Sequence, residues 1–196
     1  DDAVKGADWC YDPDFFTRNA DGSYTFNAII GTYSIKAVFD QGGFRIHAVD
    51  GDGPAKLNAD GTGAIWIIGD AIYGKPTFSA AQGWWTDTDH ALCMAPVKPK
   101  VYQVTFTVGK QLKAGTSVNF KFFGQAGWGT EFKGTADSYY LTTDNGIFLI
   151  GKGEGGHDNG NIYLQDDMEL LDGETYVLTI DCRDGVAPAK LFVQKK

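Results

Sequence analysis

From Tyr102 to Val108 the chain alternates strictly: Tyr102, Val104, Phe106 and Val108 are apolar, and Gln103, Thr105 and Thr107 are polar. That period of two belongs to an antiparallel strand with one face in a core and the other toward water, and no helix sustains it. Comparable short runs recur along the chain, each closed by Gly, Asn or Asp. A first cluster comprises 23–30, 33–39 and 44–49, separated by Asp21-Gly22, Gly31 and Gly42-Gly43. A second comprises 64–68, 101–108, 117–123, 147–150, 161–164, 175–181 and 189–193. Strands this short with turns this frequent predict a β-sandwich. The segment 69–99 reads as long, irregular and polar-aromatic.

The glycine-rich stretch 50–63, with Pro54, predicts a boundary between a small N-terminal β unit over 1–60 and a sandwich over 61–196. The two parts share a short pattern. Gly31-Thr32-Tyr33 opens one strand and its return, and Gly173-Glu174-Thr175-Tyr176 opens another. The match suggests that residues 1–60 are a reduced or truncated relative of the later part.

Charge narrows the function. Seventeen Lys and Arg against 25 Asp and Glu leave a net charge of -8, which opposes binding to nucleic acid and to anionic membrane surfaces. A neutral glycan is indifferent to it. No apolar run reaches the roughly 20 residues of a membrane span, and the opening Asp1-Asp2 reads as a mature or trimmed start. Of the three cysteines, none stands close enough to another to suggest a zinc site. Cys93 and Cys182 have two readings, a bridge across the sandwich or two buried free thiols.

Catalysis finds no motif. His47, His90 and His157 are scattered, and no nucleophile elbow, zinc-protease or P-loop pattern occurs. Asp87, Asp89 and Glu131 are carboxylates of the kind that a glycosidase would pair, but in an acidic protein such groups are ordinarily solvated. The loops Asp50-Gly51-Asp52-Gly53 and His157-Asp158-Asn159-Gly160 read as turns rather than calcium ligands. The expectation is a protein without enzymatic activity, metal or cofactor.

The five tryptophans separate by context. Trp66, inside an apolar strand, predicts core packing. Trp84-Trp85 and Trp128 lie in Gly83-Trp84-Trp85-Thr86-Asp87 and Ala126-Gly127-Trp128-Gly129-Thr130-Glu131-Phe132, polar and loop-like. Adjacent strand residues point to opposite faces, so at most one of Trp84 and Trp85 enters a core. An indole on a loop offers a flat apolar face to a pyranose ring, with neighbouring polar groups to bond its hydroxyls. The competing reading makes Trp84 and Trp128 plugs at the end of the sandwich.

The order of motifs over 64–196 carries a resemblance. Ile65-Trp66-Ile67-Ile68-Gly69-Asp70 precedes Gly83-Trp84, Met94-Ala95-Pro96 and a strand with Tyr102. Leu112-Lys113-Ala114-Gly115, Phe120-Lys121-Phe122-Phe123, Trp128 and Gly160-Asn161-Ile162 follow. This resembles the carbohydrate-binding domains of SusE- and SusF-like surface lipoproteins of Bacteroidetes and, more distantly, starch- and glycogen-binding modules of immunoglobulin-like fold. The resemblance implies an antiparallel immunoglobulin-like β-sandwich with a small preceding β unit. It implies non-catalytic capture of a polysaccharide or oligosaccharide, a starch-like α-glucan among them. The place it implies is the extracellular face of the outer membrane, beside a glycan uptake complex, held by a lipid anchor that this chain does not contain. By position it assigns stacking to Trp84 and Trp128 and polar contacts to Lys121 and Asn161. Trp85 is an extra aromatic, and 69–83 is longer than the usual loop. The readings outside glycan capture are a structural spacer or protein-docking domain, and a β-sandwich glycoside hydrolase.

Overall fold

A computed structural model describes residues 2–73, 81–84 and 86–196. Among them the chain is nearly all β. After a single helical turn α1 (Asp2–Lys5) come β1 (Phe16–Arg18), β2 (Tyr24–Phe26), β3 (Thr32–Val38), β4 (Gly43–Asp50) and β5 (Gly53–Pro54). Then follow β6 (Trp66–Tyr73), β7 (Ala81–Gly83), β8 (Leu92–Cys93), β9 (Ala95–Lys98), β10 (Val101–Thr107) and β11 (Asn119–Phe123). The chain closes with β12 (Leu141–Thr142), β13 (Phe148–Ile150), β14 (Ile162–Leu164), β15 (Thr175–Asp181) and β16 (Ala189–Lys195). No described helix is long and apolar enough to cross a membrane.

Two sheets form an antiparallel β-sandwich. One has the order β12-β16-β15-β10-β9, and the other β13-β14-β11-β6-β7, with β8 also on β6. The short β12 lies parallel to β16, the exception in an otherwise antiparallel pattern. Alternation explains the core. Tyr102, Val104 and Phe106 of β10 and Tyr176, Leu178 and Ile180 of β15 turn inward, against Ile67 of β6, Phe120 and Phe122 of β11 and Phe148 of β13. Every one of these is at most 2% exposed. Burying a large side chain of this kind contributes about 1.5–3 kcal/mol, so the facing rows supply most of the sandwich's stability.

The segment 69–99, expected to be irregular, instead contains the end of β6 and all of β7, β8 and β9. These are too short for alternation to register in the sequence. Gly69 lets β6 run on: its φ is +152°, and a Cβ there would lie 2.3 Å from the Cα of Phe120. The chain then steps from one sheet to the other between β8 and β9, with Met94 buried at the crossing. In the opposite direction, the expected strand over 23–30 is reduced to Tyr24–Phe26, and Ile29 and Ile30 are exposed.

The N-terminal residues form a two-stranded sheet β1-β2 and a three-stranded sheet β3-β4-β5. Phe15 and Phe16 pack with Ala95 of β9 and the rings of Tyr24, Tyr33 and Phe44. Asp14, 9% exposed, accepts from Gln103 Nε2, Thr105 Oγ1 and Thr105 N. Ala48 and Ala55 join Trp66, Ile68, Cys93 and Phe123 in a second apolar layer on the outer face of the β6–β11 sheet. The stretch 50–63 carries β5, and its Leu57 enters the sandwich core. All three cysteines are free, with Cys93 and Cys182 buried. Cys182 lies in the sandwich core and Cys93 on the far side of the β6 sheet, so the layer between them precludes a bridge.

Candidate functional site: an aromatic platform on the outer sheet face

Side chains on alternate positions of β11 share a face. Phe120 and Phe122 point into the core, which turns Asn119, Lys121 and Phe123 outward. Register with β6 places Asp70 opposite Asn119, Ile68 opposite Lys121 and Trp66 opposite Phe123. The outer face therefore grades from apolar, at Trp66 and Phe123, to polar, at Asp70 and Asn119. Trp66 itself is wholly buried and donates Nε1–H to the Ala55 carbonyl at 3.0 Å, as its core reading requires.

Two of the expected tryptophans meet above the apolar end. Trp84 follows β7, whose Gly83 pairs with Gly69 of β6, and its Nε1 donates to Asp70 Oδ2 at 3.2 Å. Trp128 sits in the tight loop after β11. Gly124 N donates to the Thr130 carbonyl at 2.8 Å, the Gln125 side-chain amide donates to the Trp128 carbonyl, and Gly129 takes a φ of +95°. These bonds raise the indole over Phe123, to which it stands edge-on at 5.7 Å and 80°. The Trp84 and Trp128 rings lie 5.9 Å apart with only 17° between their planes. Trp128 is 54% exposed and Trp84 partly buried, so the pair is anchored on one side and open to solvent on the other. Trp85 lies outside the described residues.

The two polar candidates have protein partners. Lys121 Nζ donates to Glu131 Oε2 at 2.9 Å, and Lys133 Nζ reaches the same oxygen at 2.9 Å. Burial works to raise the Glu131 pKa, but hydrogen bonds from Lys133 and Lys121 outweigh it and hold the carboxyl below the ordinary glutamate value. Asn161 is 7% exposed, and its Nδ2 donates to Asn119 Oδ1 at 2.6 Å. Its amide thus orients Asn119, the exposed group of the pair.

At the foot of Trp128, beginning at Gly129, lies a groove of about 400 Å³ lined by Thr130, Glu131, Lys133, Asp137, Ser138 and Tyr139. Sequence reasoning singled out none of these for sugar contacts. The signal for Asp70 and Asn119 lay in strand register, and that for the groove lay in the return segment 130–133, which pairs back onto β11 through Phe132 N and the Phe122 carbonyl. Donors and acceptors here alternate beside a flat apolar surface, an arrangement suited to hydroxyl-rich ligands. Asp87, another carboxylate considered for catalysis, engages His90 Nδ1 at 2.6 Å. Among the described residues no three His, Cys, Asp or Glu side chains converge as metal ligands would.

Residues 60–183, more than half of the chain, match the model of a family described as a domain of unknown function, DUF5121. The chain belongs to the DUF5121 family. The DUF5121 span takes in Trp84, Trp128, Lys121, Asn161 and the whole groove, and it leaves β1 to β5 outside. Comparison with curated proteins and with solved structures returned no match.

Proposed function

We propose that this DUF5121 protein binds polysaccharide without chemistry, using Trp84 and Trp128 as the stacking surface and the groove beside them for hydroxyl contacts. The observation that carries the reading is the near-parallel indole pair, seated on Phe123 and more than half exposed at Trp128. A contiguous apolar surface open to water and rimmed by polar groups marks a place of binding, and pyranose C–H faces match the negative face of an indole. Lys121, Lys133, Asp70 and Asn119 supply polar contacts around the rim. Glu131, held ionised between two lysines, has the opposite of the raised pKa that a glycosidase general acid needs. The biological setting we propose is that of SusE- and SusF-like lipoproteins: glycan capture at the outer face of the outer membrane, beside an uptake complex, with starch-like α-glucan the first ligand to try.

The test is affinity electrophoresis against starch, glycogen, xylan, mannan and mixed-linkage glucan, for the parent and for Trp128→Ala. Retardation of the parent by at least one of them, lost in Trp128→Ala, supports the reading; a parent retarded by none overturns it. In that event the protein-docking alternative gains, since the N-terminal strands and the turns beside them expose Phe26, Ile29, Ile30, Ile35 and Phe39.

A further inference from the structure

On the same outer face, one strand beyond β11, Tyr163 of β14 points away from the core, because its neighbours Ile162 and Leu164 point in. The His157 imidazole lies flat on its ring, 3.6 Å between centroids and 8° between planes. His157 is carried by a tight turn in which Gly155 and Gly156 both take positive φ, and it is exposed. Beside Tyr163 is a second groove of about 380 Å³, whose wall includes Leu149, Thr142, Thr143, Lys152 and Gly134. The Thr142 hydroxyl donates to the Ala189 carbonyl, which leaves its oxygen lone pairs to accept from a ligand, whereas the Thr143 hydroxyl donates to the Leu191 carbonyl and already accepts from Asn145.

Consecutive residues bound the two grooves. Lys133 lines the first and Gly134, the next residue, lines the second. The ridge between them is tied to the turn bearing His157: Gly134 N donates to Asn159 Oδ1 at 2.7 Å, and Asn159 Nδ2 to Thr135 Oγ1 at 2.8 Å. Laterally, β6 and β14 are separated by β11 alone, two inter-strand steps or about 10 Å.

We infer that the groove beside Tyr163, whose ring is backed by the stacked His157 imidazole, is a second sugar subsite, and that one unbranched glycan chain crosses the sheet from the Trp84–Trp128 platform, over Lys133, to Tyr163. This rests on the polysaccharide reading above and adds to it a length requirement. A chain too short to reach Tyr163 fills the tryptophan end alone, whereas a longer one reaches both aromatic surfaces. The ligand is then an extended oligosaccharide and not a chain end or a single residue. Joining two contacts through one ligand raises affinity without any new protein group.

Isothermal titration of three pairs tests this: maltose and maltoheptaose, cellobiose and cellohexaose, xylobiose and xylohexaose. The parent should bind the long member of one pair at least tenfold more tightly than the short one. Tyr163→Ala and His157→Ala should each weaken the long member by about tenfold, the order of loss for one stacked ring, and leave the short member unchanged. Trp128→Ala should weaken both. Melting temperatures accompany each variant, and His157→Ala, on an exposed turn, decides the matter if Tyr163→Ala fails to fold. Equal affinity for long and short members in the parent, or a His157→Ala protein that binds the long member as the parent does, overturns the second subsite. The platform reading stands if Trp128→Ala still weakens binding. A parent that binds no member of any pair overturns the second subsite, and the platform reading falls with it if none of the five polysaccharides retards the parent.

Discussion

Replacing Trp128 with alanine separates a ligand platform from a structural plug, and the expected sizes follow from its contacts. Trp128 is 54% exposed and, among the described residues, makes two ring contacts, one to Trp84 and one to Phe123. Aromatic pairs contribute about 0.5–1.5 kcal/mol each beyond area burial. Trp128→Ala should therefore destabilise by about 1–3 kcal/mol, or roughly 2–12 °C in Tm for a domain of this size. Trp66→Ala is the control. That indole is fully buried and hydrogen-bonded to the Ala55 carbonyl, so its loss should cost about 3–5 kcal/mol plus the unsatisfied acceptor. On the glycan side, removing a stacked ring gives up about 1–3 kcal/mol, about fivefold to 150-fold in Kd. The assays are thermal melting followed by fluorescence or circular dichroism, and calorimetric titration with whichever polysaccharide retards the parent. The expected pattern is a modest loss of Tm with a large loss of binding for Trp128→Ala, and a large loss of Tm for Trp66→Ala. The reasoning is refuted if Trp128→Ala melts as low as Trp66→Ala, which would make it a plug, or if it binds the glycan as the parent does.

Removing the Asp14 carboxylate should detach the N-terminal unit from β10, because Asp14→Ala strands the Thr105 N–H and the Gln103 amide; the expected loss is about 1–3 kcal/mol per buried group left unpaired, read by urea unfolding. In the native protein a thiol reagent should modify Cys10 at most, since Cys93 and Cys182 are buried and burial pushes the Cys182 thiol up to about 12; all three should react in denaturant, and fewer than three there would reveal a disulfide. Glu131 is held below the ordinary glutamate value, so its stabilising pairing with Lys121 and Lys133 is complete above that value and is lost as pH falls through the lowered one; Glu131→Gln should flatten this acid limb in a melting-temperature profile against pH, and an unchanged limb would discount the pairing. Gly69→Ala should unfold or severely destabilise the sandwich, as its Cβ would sit 2.3 Å from the Phe120 Cα; a variant melting near the parent would show that β6 and β11 can part.

The all-β sandwich was legible in the sequence because a period of two in apolar residues admits few other folds. The alternation in β10 names the residues that fill the core, and β15 has the bounds 175–181 that its pattern predicts. Trp66 was legible as core for the same reason. The edge strands β7, β8 and β9 were not, since two to four residues cannot display a period, and their pairing depends on neighbours distant in the chain. The exposure of Trp128 was likewise beyond sequence, because Gly-rich context is equally compatible with a plug. It took the bond network of the 124–130 loop to lift the indole over Phe123 and set it beside Trp84. Asn161 makes the same point from the other direction: its type and place suggest a ligand contact, yet the packing of β14 on β11 buries it and leaves Asn119 facing out. Local pattern thus determines which face of a strand is apolar, a property of successive residues. What stands on the polar face, and which side chains meet there, depends on register between strands and on loops closed by contacts from elsewhere, and only the tertiary structure decides those.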